Sequence, residues 1–129
     1  MIGNDTTEAL RMTEKTPAQH ADTAAEAVRS INHLTQGAPR DGWTYPGDAY
    51  SLVGDLARAA MMLPQALEQV QHFIAGLEEA GHLRSDKDDL DNDLRDVYLG
   101  LENARVAAES LYAGLNRAHG GLGPIGYKD

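Results

Sequence analysis

Two stretches of the chain carry apolar residues at alternating steps of four and three, and they fit each other when run in opposite directions. The first is Ala49, Val53, Leu56, Ala60, Leu63, Leu67, Val70, Ile74, Leu77. The second is Leu90, Leu94, Val97, Leu101, Ala104, Ala108, Leu111, Leu115, Ala118. Paired outward from Leu77 with Leu90 and Ile74 with Leu94 to Ala49 with Ala118, the partners' numbers add to 167 or 168 throughout. An average step of about 3.5 residues is the seam of helices packed knobs into holes. A constant total requires an antiparallel hairpin, with its turn near His82-Leu83-Arg84-Ser85. The expected fold is all-α: a three-helix bundle built on this long hairpin, with a coiled-coil-like seam and helices over about 17–36, 48–81 and 86–119.

Local signals set those boundaries. Thr16, Pro17 and Gln19 spell a capping box with proline at the first helical position. Ala21, Ala24, Val28, Ile31 and Leu34 line one face of helix 1, and Gly37 with Pro39 ends it. The connection from Gly37 to Gly47 is rich in Gly and Pro and holds the only Trp, so no regular structure is expected there. Asp48 is the expected cap of helix 2. Pro64 removes one hydrogen bond inside it, but the apolar phase crosses Pro64 without a slip, which predicts one bent helix. Ser85 with Asp88 reads as a second capping box, with Asp86, Asp88 and Asp89 on the positive end of helix 3. Arg117 and His119 suit the negative end, and Gly120-Gly121 are expected to stop the helix. Residues 1–15 are expected to be a flexible segment in which Asp5 and Glu8 offer only a short helix start, 16–119 the helical domain, and 120–129 a flexible Gly-rich tail.

The composition bounds the function. At 129 residues the chain is one domain's length, and a net charge of −9 opposes nucleic acid and anionic lipid. There are no cysteines, which removes disulfide scaffolds and thiolate metal sites. No apolar run approaches the ~20 residues of a membrane span, and the first residues, Met1-Ile2-Gly3-Asn4-Asp5, show no basic and apolar leader pattern. A soluble cytoplasmic protein is expected, with no cofactor, no direct nucleic-acid binding and no membrane contact.

The seam has two flanks of different kinds. One combines Leu52, Ala59, Ala66 and Phe73 with Gly100, Ala107 and Gly114, a shallow apolar trough. Helix 1 spans only ~30 Å against ~45–50 Å for the hairpin. It is expected to cover the Leu52–Ala66 half and leave Phe73 for a second copy of the chain. The other flank carries Tyr98, Arg105, Tyr112 and His119 at seven-residue spacing, facing Tyr50, Ala57, Pro64 and Gln71. Tyr and Arg there either shield the seam with their long bodies or form a recognition strip, since both are enriched at binding hot spots. Antiparallel pairing places Tyr50 beside His119, close to the loop that holds Trp43 and Tyr45. The candidate interaction residues are Trp43, Tyr45, Tyr50, Phe73, Tyr98, Arg105, Tyr112 and His119.

Reaction chemistry is hard to find. His20, His33, His72, His82 and His119 show no metal-ligand spacing. Asp89-x-Asp91-x-Asp93 matches the opening of a calcium loop, but Leu94 stands where the loop needs Gly, and Gly100 where it needs a bidentate Glu. The chain resembles the all-helical nucleotide pyrophosphohydrolases of the MazG type in class but lacks their Glu-Glu-x-x-Glu cluster. Tyr98-Leu99-Gly100-Leu101-Glu102 is similar to the export signal of the small secreted WXG-type hairpins, yet lies mid-helix with Leu101 in the seam. The expected function is therefore a non-catalytic protein–protein interaction module, an adaptor or regulator acting as a homodimer with an unidentified partner protein. The alternatives are a small magnesium-dependent hydrolase of the nucleotide pyrophosphohydrolase type and an acidic DNA mimic.

Overall fold

The computed structural model describes residues 14–129, so the expected helix start at Asp5 and Glu8 lies outside the described residues. Three helices form the all-α fold: α1 (Pro17–Leu34), α2 (Pro46–Glu79) and α3 (Leu90–Leu122). The chain divides between Trp43 and Thr44 into two compact units, one holding α1 and the other the α2–α3 pair.

In the first unit, the Thr16 hydroxyl accepts from the Gln19 N–H at 3.2 Å, and the Gln19 side chain accepts from the Thr16 N–H at 2.8 Å. This is the capping box in full, satisfying two of the donors a helix start leaves orphaned. The helix stops two residues short of the expected end. Thr35 folds its N–H and hydroxyl back to the Ile31 carbonyl, and Gly37 then takes a positive φ of 75°. No residue of α1 is buried. The connection is more ordered than its Gly and Pro content suggested. Arg40 and Trp43 exchange backbone hydrogen bonds at 2.9 and 3.2 Å around Gly42, whose φ of 80° suits the third position of a type II turn.

The second unit is the antiparallel hairpin. Here α2 begins two residues before the expected start, because Pro46 supplies the backbone angle of a first helical residue and Tyr45 becomes the N-cap. Asp48 serves the helix start from inside its first turn, its carboxylate accepting from the N–H groups of Thr44 at 2.9 Å and Tyr45 at 3.0 Å. Pro64 sits within one unbroken helix, as the uninterrupted apolar phase implies. Gly81, at φ 76°, closes α2 with a Schellman pair: His82 N–H to Leu77 O and Gly81 N–H to Glu78 O, both 3.0 Å.

The start of α3 corrects the expectation. It begins at Leu90, not Asp86, and the Ser85–Asp88 capping box does not form. The Ser85 hydroxyl instead accepts from the Lys87 N–H and donates to the Asp93 carboxylate at 2.5 Å, while Asp88 adopts φ 56°. These local side-chain bonds compete with helix and hold 85–88 as a turn. The far end is also corrected: α3 runs through Gly120-Gly121 to Leu122. Leu122 is half-buried, and the Tyr50 ring passes close enough to Gly123 that a Cβ there would lie 3.8 Å from it.

The core of the hairpin is thin. Only Ala57, Ala60, Leu94 and Ala108 are buried among the described residues, with Leu67, Ile74, Leu101 and Leu115 half-buried along the same line. Ala60 and Ala108 are expected seam partners and are buried together. Burial is shifted toward the aromatic–arginine flank, where Ala57 lies and Tyr98, Arg105, Tyr112 and His119 are half-buried. Hence the opposite edge of the seam faces outward.

Candidate functional site

The aromatic–arginine strip is assembled by helical register alone, since residues seven apart return to one side of α3. Tyr50 stacks on His119, ring centroids 4.0 Å apart and planes 21° from parallel, as the antiparallel pairing requires. The contact is tight because α2 has no side chain at Gly54. A Cβ there would lie 2.8 Å from the His119 Nε2. Tyr112 is half-buried. At the turn end, the Tyr98 hydroxyl donates to Glu78 across the hairpin at 2.7 Å, and losing that proton beside a carboxylate is disfavoured, so the phenol is held above its ordinary value.

Arg105 is fully engaged by its own helix. Its Nε and Nη2 donate to the two Glu102 oxygens at 3.0 and 2.6 Å, and its Nη1 donates to Glu109 at 2.7 Å. The guanidinium–carboxylate fork pulls Glu102 below its ordinary value and raises Arg105 further still. Glu68 of α2 adds to the negative field around Arg105 and, with Gln71, His72 and Glu102, borders a shallow groove there. Glu102 and Glu109 stand three residues before and four after Arg105, a spacing legible in the sequence.

Two further features were not anticipated. Tyr127, in the segment after α3, meets Tyr45 edge to face with centroids 5.2 Å apart. Asp93, the third carboxylate of the Asp89-x-Asp91-x-Asp93 pattern, is the anchor of the hairpin turn: Ser85 and Lys87 both bind it and hold its carboxyl below the usual range. Trp43 is half-buried in the first unit, its backbone tied to Arg40.

Phe73 belongs to a different surface from the strip. It is 64% exposed, and with it on the outward edge of the seam are Leu63 at 43%, Val70 at 47%, Val97 at 38% and Leu111 at 50%. Ala59, Ala66, Gly100, Ala107 and Gly114 between and beside them are exposed too. From Leu56 to Leu77 on α2 and from Val97 to Ala118 on α3, the two heptad lines turned to this face hold only apolar residues or glycine. The strip face is different in chemistry, carrying Glu68, Glu102, Glu109 and Arg105. Among the described residues no group of three or more His, Asp or Glu side chains is placed to hold a metal ion, and no helix is long and apolar enough to cross a membrane. Compared with protein-family models, curated proteins and solved structures, the chain matches none.

Proposed function

We propose that this protein is a non-catalytic interaction module that works through the helical surfaces of its hairpin, an adaptor or regulator whose basic state is a homodimer. The observation that supports this reading most directly is the uncharged apolar face centred on Leu63, Val70, Phe73, Val97 and Leu111. Soluble chains rarely leave so long an apolar face in water. A two-helix hairpin with four buried residues removes little area from solvent, so covering this face against a partner adds to its stability. A partner surface supplies what the chain lacks. The strip of Tyr98, Arg105, Tyr112 and His119 is the second contact surface in this reading, with Tyr50, stacked on His119, as its aromatic neighbour on α2.

Light scattering over a concentration series tests the reading. A dimer is expected at micromolar concentration, and Phe73→Asp is expected to shift it toward monomer with unchanged helical content, because the side chain is exposed within the chain. A wild type that stays monomeric at high micromolar concentration overturns self-association.

A further inference from the structure

Resting on the self-association proposed above, we infer that two copies join face to face as an antiparallel four-helix assembly, with a two-fold axis beside Ala107 and α3 packed against the second copy's α3. The occupant of the apolar face is thus this same chain, in one defined orientation.

Size comes first. The face runs from Leu56 to Leu77, about 32 Å at ~1.5 Å per residue, and two helices at ~8–10 Å separation make it roughly 18 Å wide. Two such faces bring roughly 1,100 Å² out of water before side-chain relief is counted, enough for a specific interface, which needs ~1,000 Å².

Symmetry fixes the centre. Gly100 and Gly114 each stand seven residues from Ala107, and all three are exposed on this face. An axis beside Ala107 sets it against the second copy's Ala107, and Gly100 against the second copy's Gly114, so the α3 backbones approach closely. With register totals of 167 or 168, Ala60 and Met61 of α2 lie abreast of Ala107. The same axis therefore turns Leu63 toward the second copy's Ala59, Val70 toward its Leu52, and Phe73 toward its Ala49. Large side chains meet small or half-buried ones throughout.

Charge selects the orientation. One step further round α3, the rim of the face reads Asp96, Asn103, Ser110, Arg117 at seven-residue spacing. The axis beside Ala107 brings Asp96 level with the second copy's Arg117, twice per dimer. Among the described residues neither side chain makes an ion pair within the chain. An axis running along the hairpin would instead set Phe73 opposite the second copy's Asp93, a carboxylate already held by Ser85 and Lys87. Pairing opposite charges in one orientation and burying an aromatic on a carboxylate in the other decides between them.

The absence of cysteine makes the test direct. Ala107→Cys in the full-length chain is expected to form an interchain disulfide on mild oxidation, whereas Leu99→Cys, on the outer side of α3, is not. Mixing Gly100→Cys with Gly114→Cys is expected to give a crosslinked heterodimer that neither gives alone. Asp96→Arg and Arg117→Asp are each expected to weaken the dimer about tenfold, through two like-charge contacts, and the double reversal to restore it. A monomeric wild type removes the reading beneath the proposal. A dimer in which A107C does not crosslink, or in which the double reversal restores nothing, overturns this geometry and leaves that reading standing.

Discussion

Replacing Gly54 by alanine puts a methyl carbon 2.8 Å from the His119 Nε2, about half an ångström inside van der Waals contact, at the place where His119 stacks on Tyr50. In an exposed helix interior, Gly→Ala stabilises by ~1 kcal/mol, because alanine has less backbone freedom to lose. Here that gain competes with displacement of the imidazole. The atom met first is the far edge of a ring, so the helix does not break, but the ring must leave Tyr50 or the helices must part. An aromatic contact of this kind contributes ~0.5–1.5 kcal/mol, comparable to the propensity gain. Gly54→Ala is therefore expected to be neutral or mildly destabilising in the wild type. In a His119→Ala background, where nothing remains to clash, the same substitution is expected to stabilise by the full ~1 kcal/mol. The difference between backgrounds is a coupling energy of ~1 kcal/mol or more, readable from a double-mutant cycle of urea melts followed by circular dichroism at one fixed protein concentration. Equal stabilisation in both backgrounds would refute the close packing of α2 on His119 and the hairpin register with it.

Leu94→Ala removes the one large side chain among the four buried residues of the hairpin and is expected to cost ~2–3 kcal/mol, the lower part of the usual range because a two-helix site collapses easily; a loss under ~1 kcal/mol in the same melts would mean the core lies elsewhere. Asp48, Asp93 and Glu102 are all held below their ordinary values of 3.8, 3.8 and 4.5, so each favours the fold when ionised. Their stabilisation is complete above those values and is lost as pH falls through and below them; melting temperature should drop below about pH 4.5, and less steeply in Asp93→Asn than in the wild type. Arg105→Ala or Tyr112→Ala is expected to weaken binding of a partner protein to the strip by ~1–2 kcal/mol with helical content and the dimer intact. A lowered melting temperature with unchanged partner binding would assign both residues to fastening the hairpin.

The sequence by itself determined the hairpin. A seam of nine residues, eight steps, in each arm leaves one antiparallel register, and the stacked Tyr50–His119 pair and the jointly buried Ala60 and Ala108 follow from it. It also determined the Thr16 capping box, because that motif is satisfied entirely by neighbours three residues apart. What it misjudged were elements where two local solutions have similar free energy. Ser85 read as a helix cap, yet its hydroxyl binds Asp93 across the first turn of α3 and the segment stays a turn. Gly120-Gly121 read as a stop, yet α3 continues to Leu122, which is half-buried. For the interaction surfaces, heptad spacing located both flanks but gave them equal weight. Tertiary structure separated them: packing rotated toward Ala57 and the strip, tying Arg105 and Tyr98 to carboxylates of their own chain and leaving Phe73 and Val70 outward. A period alone fixes which residues share a line on a helix, while the angle at which two helices roll against each other depends on side-chain volumes across the seam. At Gly54 and Ala60 on α2 those volumes are small enough to let the helices roll toward His119.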